Sequence, residues 1–247
     1  MRILTGPALT LLLLAPALDP AQKYTDPGGR LRVALVKQPF SPNGTSAGPN
    51  TMANGGIQRI LADLGASVRV EEAALTADEN TEYGGWKRLS MALGHFADIV
   101  AKDEREGYFT VGLLATCPSM PGLVGGLQHS GPTREPIRIG MLWLDAHPDF
   151  NTPETTRSGS LGGMPVAVAT GRALRGMRLD AHLDPPLSDR HIVMGGVRLT
   201  DPLEQSLLDN FKTKIGLLQD TVALISDMRK DQQSGAARIV SGLDHRP

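Results

Sequence analysis

The chain has 247 residues, 40% of them hydrophobic, enough for one large domain with a sizeable buried core. Its net charge of −1 and pI near 6.6 leave no basic field for nucleic acid or an anionic membrane. The single cysteine, Cys117, excludes an intrachain disulfide and a four-cysteine zinc site.

Met1 and Arg2 precede an apolar stretch at 8–18, with A-P-A at 15–17. A cationic start, a short apolar run and small residues after it predict a secretory leader over 1–18. Export to the periplasm or medium is therefore expected; the alternative is a cytoplasmic chain that buries this segment. The stretch is too short to span a bilayer comfortably, so no membrane association is expected of the mature form. A polar spacer at 19–30 leads into an α/β domain over 31–247.

"LRVALVKQPF" (31–40) predicts a first buried strand, followed by the glycine-rich loop "SPNGTSAGPNTMANGG". Ile57, Ile60, Leu61 and Leu64 fall at helical spacing, and Gly65 stops that helix. "SVRVEEA" alternates like a short strand. Leu89, Leu93, Phe96 and Val100 form one apolar stripe of a helix over 83–102. "YFTVGLLATC" predicts another buried strand, and 120–129 a glycine-containing helix. "IRIGMLWLDAH" and "HIVMGGVR" are strands, 203–211 is helical, and "TVALIS" (221–226) and "RIVSGL" (238–243) complete the series. Strands alternating with helices predict an α/β fold with a mainly parallel sheet, whose ligands sit at the carboxyl ends of strands.

Asp145, His147 and Asp149 follow the apolar run 137–144. If the strand stays extended, residues at i, i+2 and i+4 share a face, and two carboxylates with one imidazole converge there. Such a set suits Mn²⁺ or a similar divalent ion. The alternative for the bare triplet is a solvated turn with a capping aspartate.

The longer segment "DAHPDFNTPETTRSGSLGGMP" closely resembles the D-A-H-x-D-x-N and T-T-x-S-G…G-x-P signature of the arginase/agmatinase/formiminoglutamase (ureohydrolase) family. "VALVKQPFSPNGTSAGPNTM" is similar to that family's first strand and loop, and "HIVMGGVRLTDPLE" to its I-V-x-x-G-x-R-x-x-D-P-x-E segment. The resemblance runs from about Leu31 to Asp231. It implies a three-layer α-β-α sandwich and a binuclear Mn²⁺ centre. It also implies a metal-activated hydroxide that hydrolyses a linear C–N bond of a guanidino, amidino or formimino substrate. By position, Asp145, His147 and Asp149 are then metal ligands, with Asp149 also catalytic as the group that orients the nucleophile. Asn151 and Ser158 match positions that bind the polar end of an amino-acid substrate; the alternative for both is loop capping. A homo-oligomer is expected by analogy with the family's trimers and hexamers.

Three departures qualify the implied site. "LATC" stands where the family has G-G-D-H, so Cys117 takes the place of a histidine ligand. A thiolate there favours Zn²⁺ or a softer ion, whereas the alternative is an inert core cysteine. Gly162 replaces a loop histidine found in some arginases, which leaves His129 and His182 as unplaced proton-relay candidates; the alternative for both is a surface histidine. The family's D-x-D-x-x-D-P is not recognisable: "GLD" (242–244) echoes its tail, but Ile239 and Ser241 hold the ligand places. An arginase-like domain short of its C-terminal part is thus expected. The competing function is a catalytically inactive ureohydrolase-like chain that binds a metal or a partner.

Overall fold

A computed structural model of the chain describes residues 23–133, 135–211, 214–216 and 238–243. The expected leader and the strand expected at 221–226 lie outside these residues. The architecture begins with β1 (Arg32–Gln38), which is apolar toward both sides. Ala34 and Val36 enter the main core, while Val33 and Leu35 enter a smaller one, and each is 2% exposed or less. A strand buried on both faces needs cover on both, and parallel sheets get it from crossover helices. β2 (Ser67–Glu72) and β3 (Phe109–Leu114) flank β1, both parallel to it.

A second parallel sheet contains β4 (Ile139–Leu144), β5 (Ile192–Gly195), β6 (Lys214–Gly216) and β7 (Arg238–Leu243), in the order β6-β5-β4-β7. One core runs under both sheets, joining Ala34 and Val36 of β1 to Met141 and Trp143 of β4 and Met194 of β5. This is the expected α/β arrangement with parallel strands and helices packed on the sheet.

The helix over the smaller core begins earlier than its periodicity predicts. α1 (Gly48–Met52) and α2 (Gln58–Asp63) are joined through a wide turn at Ala53–Ile57, bent at Gly56 with φ 102°. Part of the expected glycine-rich loop is therefore helical. Only half of the predicted stripe packs: Ile57 and Leu61 meet the small core, whereas Ile60 and Leu64 are 55% and 79% exposed. The bend at Gly56 sets α2's orientation, and α2 is too short to bring both ends of the stripe onto the sheet.

On the opposite face lies α3 (Gly85–Arg105), where Leu89, Leu93, Phe96 and Val100 are all fully buried, as their spacing predicts. Gly107 ends it in a left-handed turn, with Tyr108 N donating to Asp103 O and Gly107 N to Glu104 O. Against α3 packs α4 (Met120–Gln128), whose three glycines permit close backbone approach. α5 (Pro165–Ala169) and α6 (Arg175–Asp180) complete this layer. α5 is buried at all five positions, so it has no amphipathic period and sequence patterning does not reveal it.

At the amino end of the sheet, residues 23–31 strap across β1 and β3. Tyr24 O–H donates to Glu104 Oε2 at 3.0 Å, Lys23 Nζ lies 3.4 Å from the same oxygen, and Tyr24 stacks edge-on against Phe109. Burial, with the Asp103 charge adding to it, pushes the Glu104 carboxyl up to about 7, against hydrogen bonds from Thr110 and Tyr24 that favour the anion.

Two outcomes are expected. A Cβ at Gly125 would stand 2.0 Å from Ala181 O, so Gly125→Ala should cost about 1–3 kcal/mol or more in urea unfolding. Because the folded Glu104 binds its proton more tightly than the unfolded chain, its contribution is complete below the usual glutamate range. It is lost as pH rises through about 7. Unfolding measured from pH 4 to 8 should show that loss, and Glu104→Gln should flatten it.

Candidate metal centre

The carboxyl ends of β3 and β4 bring together the residues of the candidate site. In the first sheet the chain passes from β1 to one side and then to the other, and in the second sheet β5 and β7 flank β4 likewise. Such switch points open crevices at the carboxyl edge. Beyond β3 the chain turns through Cys117–Ser119 into α4. Beyond β4 it enters the loop that carries Asp145, His147 and Asp149.

This loop corrects the expectation of an extended strand. β4 ends at Leu144, because His147 N donates to Asp145 Oδ1 at 2.8 Å and closes a side-chain turn. Asp149 then adopts φ 48°, a left-handed conformation that aspartate tolerates better than most residues. Asp145 and Asp149 therefore converge through a turn and not through strand alternation. They are 6% and 2% exposed.

Ligand atoms of Cys117, Asp145 and Asp149 lie within 4.8 Å of one another. His147 stands at the edge of this group, its Nδ1 3.5 Å from Asp145 Oδ1. That nitrogen is buried and has no hydrogen-bond partner among the described residues. One thiol and two carboxylates from separate loops, with a buried imidazole nitrogen beside them, form a donor set that fits a divalent cation.

The loop is held from behind by α7 (Pro202–Asp209). Its N-cap Asp201 and its Glu204 form a capping box, with Asp201 N donating to Glu204 Oε2 at 3.2 Å. Glu204 Oε1 accepts from Phe150 N at 2.8 Å, next to Asp149 in the chain. Burial pushes the Glu204 carboxyl above its usual range, opposed by those two backbone hydrogen bonds and by the His147 imidazole. Asp201 and Glu204 have no role in the sequence patterns above, although D-x-x-E before an apolar helix is a capping signal.

Asn151 is 6% exposed and bonded within the loop: its amide donates to Asp201 Oδ2 at 3.4 Å, and its carbonyl oxygen accepts from Thr155 Oγ1 at 3.0 Å. Ser158 is exposed, and its Oγ accepts from Ser160 N at 3.2 Å. Gly162 lies in the turn Leu161–Gly163. His129 and His182 are not at the site. They line a cleft of about 860 Å³ with Arg105 and Asp98 at the other end of α4, whose nine residues span about 13 Å. Sequence reasoning also passed over Gln38, fully buried at the end of β1, whose Nε2 and Oε1 have no partner among the described residues.

Strand β7 runs parallel to β4, with Ile239 opposite Gly140 and Ser241 opposite Leu142. The "RIVSGL" segment therefore does occupy a strand beside the metal loop, and none of its six residues is a carboxylate.

The family model described as the arginase family matches residues 119–230. Mitochondrial arginase-2 of Bos taurus is 28% identical over 208 residues, covering 76% of this chain and 55% of the relative. The arginase of Agrobacterium fabrum is 28% identical over 219 residues, covering 83% and 61%. The arginase structure from Bacillus caldovelox superposes with a TM-score of 0.68 at 20% identity, over 84% of this chain and 74% of that one. Over residues 119–230 the chain is thus similar to the arginase family. Its fold is the arginase-like α/β sandwich, and it spans 55% and 61% of the length of these two curated relatives.

Glu204→Ala removes the acceptor of two backbone N–H groups, so a loss of about 2–3 kcal/mol is expected in chemical unfolding. The same variant should bind divalent metal more weakly by calorimetry, because the loop bearing Asp149 loses its backing.

Proposed function

We propose that this chain is a metal-dependent hydrolase of a linear C–N bond in a small guanidino, amidino or formimino compound. The observation that carries this reading is the convergence of Cys117, Asp145 and Asp149 at the carboxyl edge of the sheet. Similarity to the arginase family over residues 119–230 and to a curated arginase adds to it. Cys117, Asp145 and Asp149 would hold the cation, with His147 Nδ1 as a further donor. A divalent cation there would lower the pKa of water and polarise the substrate carbon's substituents. Mn²⁺ is the ion that family resemblance suggests.

The chain's own groups account for the remaining chemistry. Asp149, fixed by its left-handed backbone, orients the attacking water and takes up its proton. Water adds to the central carbon, the C–N bond breaks, and the departing nitrogen receives a proton. The products are urea, ammonia or formamide according to substrate. The small polar loop 151–160 forms the rim on which the substrate's polar end would rest, with Ser158 the exposed hydroxyl. Asn151 acts through the loop, since its amide is already bonded to Asp201 and Thr155.

A second reading is favoured by β7. Among the described residues, Arg238–Leu243 beside β4 contains no carboxylate, which supports a protein that binds metal without turnover. The two readings part in one assay. Purified protein is loaded with Mn²⁺, Co²⁺ or Zn²⁺ and scored for release of urea, ammonia or formamide from guanidino, amidino and formimino acids. Turnover that chelator abolishes, and that Asp149→Ala lowers by about a hundredfold or more, is the expected outcome. Folded, metal-loaded protein without turnover on the panel would establish the inactive reading.

A further inference from the structure

We infer that Cys117 makes this centre a thiolate site selective for a thiophilic divalent cation of the Zn²⁺ or Co²⁺ class, held as a single ion. The inference rests on the metal-binding part of the reading above and not on catalysis. Cys117 is the chain's only cysteine, it is half-buried, and it sits in the turn between β3 and α4. Its sulfur belongs to the same group of ligand atoms, all within 4.8 Å, as two carboxylates that are 94% and 98% buried.

A structural cysteine packs its sulfur among apolar side chains. Cys117 does touch the main core through its partly buried side, but its sulfur also faces Asp145 and Asp149. A thiolate beside two carboxylates, the form in which Cys117 would bind a metal, is favoured when a cation lies among them. The donors are one sulfur and two oxygens, with the buried Nδ1 of His147 3.5 Å from Asp145 Oδ1. The mutually close group is a three-donor S, O, O set with His147 at its edge, and a thiolate among so few protein donors suits a low-coordinate Zn²⁺-like ion completed by water. Mn²⁺ asks for about six hard ligands, most of them oxygen. Binding converts the thiol into a metal thiolate and releases one proton to solvent, so the step balances without an oxidant.

The test uses the full chain stripped of metal and titrated with Co²⁺ alone. A near-ultraviolet thiolate-to-cobalt charge-transfer band is expected, saturating at one ion per chain and absent from Cys117→Ser. Every nitrogen, oxygen or sulfur site prefers Zn²⁺ to Mn²⁺ to some degree, so the informative quantity is the change in preference. Cys117→Ser should weaken Zn²⁺ by about tenfold or more and Mn²⁺ much less. A readout without mutation keeps the result independent of folding: Zn²⁺ should shield the lone thiol from a disulfide reagent, and Mn²⁺ at equal concentration should not. Bound Co²⁺ with no charge-transfer band, or a thiol that reacts equally fast with and without Zn²⁺, overturns the inference and leaves the proposed function standing. No binding of Co²⁺, Zn²⁺ or Mn²⁺ would overturn both.

Discussion

Glu204 has both carboxylate oxygens bonded to backbone N–H groups at the junction of two segments far apart in sequence. One oxygen takes Phe150 N from the metal loop, and the other takes Asp201 N from the start of α7. The group is 3% exposed, so its burial carries a desolvation cost that only such charge-assisted bonds offset. With Phe150 N fixed, the left-handed turn at Asp149 is held in place. Asn151 strengthens the same junction through Asp201. The position of Asp149, and with it the spacing of the candidate ligands, depends on Glu204, which lies 54 positions from the Phe150 it holds and is not itself one of those ligands.

This arrangement explains which features were legible in the sequence. β1, β4 and α3 follow from pattern alone, because a long apolar run or a four-residue stripe is buried wherever the element lies. Leu89, Leu93, Phe96 and Val100 are all fully buried for that reason. The pattern fails where an element is short or has no period. α2 leaves Ile60 and Leu64 in solvent, and the wholly buried α5 gives no amphipathic signal.

The site was legible in its chemistry and not in its geometry. D-x-H-x-D names the donors, but a two-residue period assumes extended backbone. Asp145 instead spends one oxygen on His147 N, which is a local hydrogen bond that competes with the strand. Cys117 could be named as a departure from the family motif, yet its nearness to Asp149 depends on how β3 and β4 lie in the core. No local pattern encodes that. Asn151 shows the reverse: a position that matches a substrate contact is, in this chain, bonded to Asp201 and Thr155 in the scaffold of the loop.

The placement of the strands bears on how many ions the centre can hold. Its donors come from the loops after β3 and β4, and β7 brings to the other side of β4 a segment of Arg, Ile, Val, Ser, Gly and Leu. Two cations about 3.5–4 Å apart repel strongly, and bridging carboxylates from both sides are what hold such pairs together. With carboxylates on one side only, among the described residues, the charge available is that of Asp145, Asp149 and a thiolate. Three anionic donors more than offset one divalent ion but cannot offset two, and a second ion would have to take its remaining ligands from water. The sulfur at position 117 and the carboxylate-free strand beside β4 thus act in the same direction: both favour one softer, lower-coordinate cation over a pair of hard ones.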